Sequence, residues 1–247
     1  MKRKAVFVIL FLLIGIGSYC GYRYYKDNVL PEKSIDSAHE EQIALIESVK
    51  PEKKAADDMS DPLEPAKKVN EAVVGWISID GTNIDFPVCQ AEDNDFYLKN
   101  GFDGKDNNGL GCPFLDYRCE SDFSGFNSIV YGHNVSRRRM FADIALFKDK
   151  AYLQLHPTGV LTLKDGEHTV RFFAYMNVRN TAPAYHAVFV GTSEQEEYID
   201  YIFSDAVYTS ERTADELKKK EDLHLLLLST CTYEFTDARG ILIGVIE

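Results

Sequence analysis

Residues 225 to 246 read LLLLSTCTYEFTDARGILIGVI and carry a strong signal for β structure. Its apolar first part predicts a buried strand that ends at Cys231, a cysteine flanked by hydroxyl side chains. Eight residues later Arg239 precedes a second apolar run, which predicts another strand over residues 240–246. We therefore expect two consecutive buried strands, with a thiol at the end of the first and a guanidinium at the start of the second.

Upstream of this stretch, short runs rich in β-branched and aromatic residues alternate with turn residues, which indicates a mostly β fold. The pairs Asp80-Gly81 and Asp165-Gly166 lie between such runs and predict hairpin turns. Ser193 and Glu196 match a capping box, so one helix is predicted in a long connection between strands. The strands are predicted at residues 74–79, 84–89, 128–131, 160–163, 169–175, 223–228 and 241–246. Such a set, roughly seven or eight strands, predicts a barrel or a sandwich.

The N-terminus has the pattern of a membrane anchor. Three cations, Lys2 to Lys4, precede an apolar run from Ala5 to about Gly21, near the minimum length for crossing a bilayer. Leading cations favour an N-terminus inside the cell. We expect residues 1–30 to form a short cytoplasmic tail and one transmembrane helix, with the remainder outside the cell. A cleaved signal peptide is the alternative.

Two further regions follow the predicted anchor. Residues 36–49 have helical periodicity and end before Pro51, which predicts an amphipathic helix that packs on the domain or acts as a stalk. Residues 51–65 are rich in charge and proline with almost nothing to bury, which predicts a linker. The domains are therefore expected as residues 1–30, a stalk and linker over 31–69, and a catalytic domain over 70–247.

Charge and cysteine usage exclude several function classes. The formal net charge of -12 disfavours nucleic acid as a partner. The cysteines have no C-x-x-C pair and no nearby ligand histidine, which disfavours zinc and thioredoxin-type chemistry. No metal or cofactor is predicted. Cys112 and Cys119 stand close enough in sequence for a disulfide, which spacing alone does not decide. The five cysteines are Cys20, Cys89, Cys112, Cys119 and Cys231.

Three residues are candidates for catalysis. His133 follows an apolar strand and a glycine, unlike the other five histidines, so it is the best candidate to share a cleft with Cys231. Arg239 has a fixed fork of donors that can hold a carbonyl or an oxyanion. The alternatives are that Cys231 is a small buried hydrophobe and that Arg239 is a surface residue paired with a nearby carboxylate.

Together these segments resemble the sortase family, closest to class B, over roughly residues 70 to 247. The resemblance implies a closed barrel of about eight strands, with N-terminal helices and one helix between strands six and seven. It also implies a catalytic set of His133, Cys231 and Arg239. The motifs that carry it are Val74 to Ile79, Gly81 to Val88, Asp93 to Leu98, Phe114 to Tyr117, Tyr131 to Asn134, Leu228 to Cys231, and Arg239.

The resemblance further implies a cysteine transpeptidase that cleaves a sorting signal after threonine, through a thioester on Cys231. The signal would be an NPxTx-like or LPxTG-like pentapeptide on a surface protein, and a cell-wall peptidoglycan amine would accept the acyl group. Substrate contacts are expected at Asn94, Leu98, Thr181, Tyr185 and Ser229. A cysteine peptidase and a non-catalytic, anchored peptide-binding barrel remain the alternatives.

Overall fold

The computed structural model describes residues 30–52, 60–210 and 212–247, together with Arg23 and Lys26. Eight strands close a barrel: β1 (Val73–Ser78), β2 (Asp85–Cys89), β3 (Phe114–Leu115), β4 (Asn127–Tyr131), β5 (Thr158–Leu163), β6 (Gly166–Arg179), β7 (Leu225–Cys231) and β8 (Ala238–Ile246). They pair in the order β8-β7-β4-β3-β2-β1-β5-β6, and β6 returns to pair with β8. The predicted mostly β, closed-barrel fold is therefore confirmed.

Strand β7 is buried and pairs with a strand on each side. Its four leucines, Leu225–Leu228, are completely buried, as expected for a continuous apolar run. It pairs in parallel with β4 and antiparallel with β8. Because the carboxyl ends of parallel strands meet at one edge, the residues that follow β4 lie beside the end of β7.

The sequence predicts the hairpin turns of the barrel but not its shortest strand. Gly81 and Gly166 have positive φ angles, and both predicted hairpins form. Strand β3 was not predicted, because two residues carry no periodic pattern. Three other short strands lie outside the ring: Asn134–Val135 pairs with Arg139–Met140, and Tyr208–Thr209 pairs with β6.

Helices cover the barrel and its connections. The α-helices are α1 (Leu30–Val49), α2 (Glu64–Lys67), α3 (Lys150–Leu155), α4 (Thr192–Asp205) and α5 (Ala214–Lys218), and 3-10 helices span Phe96–Leu98, Ala142–Lys148 and Pro183–Tyr185. Helix α4 lies between β6 and β7, the sixth and seventh barrel strands, where the resemblance implies a helix.

Helix α1 begins earlier than its predicted start at residue 36 and packs on the barrel. Ile46 is buried in the core, and Asp36 forms ion pairs with Arg137 and Arg139 of the hairpin that follows β4. Leu63 is completely buried, so the prediction of almost nothing to bury is wrong at that position. Residues 53–59 of the predicted linker lie outside the described residues.

The predicted capping box of α4 is wrong. Gly191 is the N-cap residue, no side chain caps the helix, and Ser193 lies inside it. The Glu194 carboxylate instead accepts hydrogen bonds from the Val190 backbone N–H and from His186 Nε2. Gly191 has a φ of 85°, and the helix begins at the next residue, Thr192. Ser193 is therefore the second residue of the helix and not its N-cap.

The predicted transmembrane run, residues 5–21, lies outside the described residues, as does Cys20. In the ranges that the structure does describe, no helix has the length and apolar character to cross a membrane.

Candidate active site

A cleft of about 610 Å³ opens at the end of the barrel where β4 and β7 finish. The predicted catalytic residues His133, Cys231 and Arg239 all line it. Of the predicted substrate contacts, four line it as well: Asn94, Leu98, Tyr185 and Ser229. Thr181 does not; it is exposed to solvent, and its neighbour Asn180 lines the cleft instead.

Cys231 and Arg239 are direct partners in the antiparallel β7–β8 pair. Residues opposite each other in such a pair present their side chains on the same face, with Cβ atoms roughly 5 Å apart. Arg239 Nη1 donates a hydrogen bond to its neighbouring carbonyl, Ala238 O, at 3.0 Å. Cys231 is partly exposed, whereas Cys89, Cys112 and Cys119 are buried free thiols, so no disulfide links Cys112 to Cys119. The barrel therefore sets one accessible thiol beside one guanidinium.

His133 reaches the cleft through a close backbone approach at Gly132. A Cβ on Gly132 would lie 2.5 Å from Phe141 Cγ, so a side chain does not fit there without displacement. His133 Nε2 lies 2.9 Å from the Leu98 carbonyl oxygen. Because a carbonyl only accepts, Nε2 carries a proton in this contact. The neutral imidazole then has Nδ1 as its acceptor.

Hydrogen bonds fasten the two strand ends to each other. Thr230 Oγ1 donates to the Gly132 carbonyl at 2.8 Å, and the Gly132 N–H donates to the Ser229 carbonyl at 3.0 Å. Asn134 Nδ2 donates to the Cys231 carbonyl at 2.7 Å. The histidine and the cysteine are thus held by a shared network, although 97 residues separate Asn134 from Cys231 in the chain.

A second wall of the cleft is built from aromatic side chains. The Tyr185 hydroxyl lies 2.9 Å from Ser229 Oγ, and its ring stacks on that of Tyr131 with 6.0 Å between the centroids. Burial raises the pKa of Tyr185 to about 12, so its hydroxyl is a neutral hydrogen-bonding group. This wall can hold an extended peptide beside Cys231.

The predicted contact Asn94 uses its side chain within the protein: it donates to Asp116 Oδ2 and accepts from the Tyr117 N–H.

The sequence analysis missed several other residues of the site. Asn134 and Asp116 lie inside motifs that carry the family resemblance, but those motifs predict no role for them, and no motif includes Arg118. Asn134 and Asp116 carry no linear signal, because Asn134 bonds to Cys231 and Asp116 to Tyr131, which lie far away in the chain; Arg118 pairs with Asp116 two residues away.

Comparisons with known proteins agree with this geometry. No family model matches the chain. Sortase B of Listeria monocytogenes serovar 1/2a is 32% identical over 183 residues, 74% of this chain and 72% of the relative. The X-ray structure of Clostridium perfringens sortase B superposes with a TM-score of 0.67 at 26% identity, covering 74% of this chain and 98% of that one. The solved structure of Listeria monocytogenes sortase B gives a TM-score of 0.64 at 31% identity, covering 72% and 97%.

The barrel and its thiol-bearing cleft thus belong to the sortase class, whose members are cysteine transpeptidases. Within that class, the chain belongs to the sortase B family.

Proposed function

We propose that the protein cleaves a C-terminal sorting signal after threonine and transfers the acyl group to an amine, with Cys231 as nucleophile. One observation carries the proposal: Cys231, the accessible thiol, faces Arg239 across β7 and β8 in a cleft that His133 also lines. A thiolate attacks well, and neighbouring cations favour its charged form.

In the first step the Cys231 sulfur attacks the threonine carbonyl carbon, and a C–S bond forms. The carbonyl oxygen gains negative charge, which the Arg239 guanidinium stabilises. The C–N bond then breaks, and the leaving amine takes from His133 the proton that the Cys231 thiol gave up when it became the thiolate. A thioester remains on the enzyme, and an acceptor amine attacks it, loses its proton to His133 and restores the thiolate.

The tautomer of His133 assigns the proton transfer to one ring nitrogen. Since Nε2 donates to the Leu98 carbonyl, Nδ1 is the atom that exchanges the proton. A glycine at position 111 makes this contact possible, because a Cβ there would lie 3.0 Å from the Leu98 oxygen and 3.1 Å from His133 Cδ2. The Leu98 backbone therefore orients the imidazole, while its half-buried side chain lines the cleft.

The substrates would be surface proteins with an NPxTx-like or related LPxTG-like signal, and the acceptor a peptidoglycan cross-bridge amine. The apolar run at residues 5–21 supports a single membrane anchor with the catalytic domain at the outer cell surface.

Full-length protein in detergent is to be incubated with fluorogenic pentapeptides of both signal types, with and without triglycine, and the products weighed by mass spectrometry. We expect cleavage after threonine, a triglycine-ligated product, and loss of both in Cys231→Ala. Cys119→Ala, which removes a buried thiol, is the matched control and should retain activity.

Other outcomes would favour the alternatives. Cleavage without ligation at saturating amine indicates a peptidase. Peptide binding without any cleavage, together with a Cys231 thiol that does not react with iodoacetamide, indicates a binding barrel.

A further inference from the structure

Residues 134–140 form a hairpin directly after His133, which we call the histidine hairpin. The His133 N–H donates a hydrogen bond to Met140 Sδ at 3.1 Å, and the His133 carbonyl accepts one from the Phe141 N–H at 3.1 Å. Both backbone groups of His133 are thus bound by residues at the returning end of the hairpin. The position of the imidazole therefore depends on where that end of the hairpin lies.

The backbone of the histidine hairpin is strained. Three of its residues have positive φ angles although none of them is glycine: Arg137 at 62°, Arg138 at 58° and Met140 at 51°. Left-handed backbone is unfavourable for a residue with a Cβ, and it persists where the surrounding structure holds it. Arginines occupy a turn in which glycine or asparagine is the usual choice. Contacts from outside the hairpin therefore have to maintain this conformation.

Two carboxylates supply those contacts. Asp143 is completely buried and accepts hydrogen bonds from Arg138, from Nε at 2.7 Å and from Nη2 at 2.8 Å. Asp36 lies on α1 and accepts from Arg137 Nη1 at 2.7 Å and from Arg139 Nη2 at 2.5 Å. Each of the three consecutive arginines is thus bound by a carboxylate. One of these carboxylates comes from a helix 103 residues earlier in the chain than Arg139.

The contact between Asp36 and Arg139 is the better protected of the two that Asp36 makes. The side chain of Arg139 is 12% exposed, whereas that of Arg137 is 54% exposed. The hydrogen bond from Arg139 lowers the pKa of Asp36, so this carboxyl group is ionised at neutral pH. Burial and the charge of Arg139 lower the pKa of His39, which is therefore a neutral neighbour of the pair.

We propose that Asp36 is a positioning residue for catalysis, which holds the His133 imidazole in place through Arg139 and the returning strand of the histidine hairpin. Asp36 binds the Arg139 side chain, and the next residue along the chain is Met140, whose sulfur binds the His133 N–H. Asp36 itself is not among the residues that line the cleft. The inference rests on the proposed function and adds to it a residue of α1, the helix that follows the predicted membrane anchor.

The test measures peptide cleavage by the full-length protein after the Asp36 charge is removed. Asp36→Asn should lower kcat by about tenfold and change KM by less than about twofold, because His133 acts in the proton transfers and not in peptide binding. The loss should be smaller than the roughly hundredfold effect of a 1 Å misplacement, since Asp143 still holds Arg138. Asp36→Glu keeps the carboxylate and should recover most of the lost rate.

Two further variants test whether Asp36 acts through Arg139. Arg139→Gln should lower kcat as Asp36→Asn does, and the double variant should lose no more than either single variant, because both substitutions remove the same contact. Lys50→Gln is the matched control. It breaks the ion pair that the residue after α1 forms with Asp85 of β2, and it should keep the wild-type kcat.

Thermal unfolding and thiol labelling separate positioning from a general loss of structure. Each variant should be folded at the assay temperature. Iodoacetamide should label Cys231 in every variant and leave Cys119 unlabelled, because Cys119 is buried as long as the barrel is intact.

The outcomes distinguish this inference from the proposed function. Active wild type, with kcat reduced in Asp36→Asn and Arg139→Gln but not in Lys50→Gln, supports the inference. It is overturned alone by unchanged kcat in the two variants, by additive losses in the double variant, by an equal loss in Lys50→Gln, or by a loss that accompanies labelling of Cys119. Wild type that cleaves no peptide overturns the proposed function and this inference with it.

Discussion

Replacing Gly132 by alanine is expected to damage stability and catalysis together. The added Cβ would lie 2.5 Å from Phe141 Cγ and Cδ2, so this fully buried ring must move by about 1 Å to reach ordinary contact. Overpacking of this kind costs about 1–3 kcal/mol in the free energy of unfolding. For a domain of this size, a loss of 2 kcal/mol lowers Tm by roughly 4–8 °C.

The effect on activity follows from the backbone. Phe141 donates its N–H to the His133 carbonyl at 3.1 Å, so displacing Phe141 shifts the imidazole. A misplacement of about 1 Å reduces kcat/KM by roughly a hundredfold. The assays are thermal unfolding followed by circular dichroism and steady-state peptide cleavage.

Gly125→Ala is the matched control, because the nearest atom to its Cβ would be Glu120 Cγ at 3.7 Å. We expect this variant to retain wild-type Tm and activity. Gly132→Ala with wild-type Tm and kcat/KM would refute the argument. A lower Tm with unchanged kcat/KM would show that the ring moves without displacing His133.

Three other predictions concern packing, thiols and pH. Leu63→Ala should lower the free energy of unfolding in urea by about 2–5 kcal/mol, whereas exposed Lys68→Ala should not; equal stability of the two would contradict the packing of Leu63. Brief iodoacetamide treatment should label Cys231 before the buried Cys119, whose pKa burial raises to about 11, and peptide mass spectrometry showing the reverse order would exclude Cys231 as the accessible thiol. Asp116→Asn should lose stability at pH 7. The pKa of Asp116 is lower in the folded than in the unfolded protein, so ionised Asp116 stabilises the fold at pH values above the unfolded-state pKa of about 4. The difference in free energy of unfolding between wild type and Asp116→Asn should therefore shrink as the pH falls below about 4. The same difference in urea unfolding at pH 7 and pH 3 would argue against an ionised Asp116.

Much of the barrel was predictable because its strands carry their own pattern. The apolar run of β7 and the turn at Gly81 are local signals, and both form as expected. Strand β3 is too short for periodicity and exists because β2 and β4 pair with it. The burial of Leu63 likewise depends on the core it joins, which its charged and proline-rich neighbours conceal.

The site also contains residues that a local sequence signal predicts and residues that it does not. His133, Cys231 and Arg239 stand at strand ends, where the change from apolar to polar sequence marks them. Thr181 is exposed outside the cleft and Asn180 lines it, because loop geometry decides which side chain faces the cleft. Asp116 was missed as a structural centre because its side-chain partners Asn94 and Tyr131 come from different parts of the chain.

The insertion of β8 between β6 and β7 has a consequence for how the protein matures. As the chain emerges from its N-terminus, seven strands are complete while the barrel still has an open seam, with unpaired edges on β6 and β7. Pairings between strands so distant in sequence form slowly. The last segment to arrive both seals that seam and brings Arg239 to Cys231. Under the proposed mechanism, the pairing of β8 completes the catalytic cleft, and a barrel without β8 would present the Cys231 thiol without the guanidinium beside it.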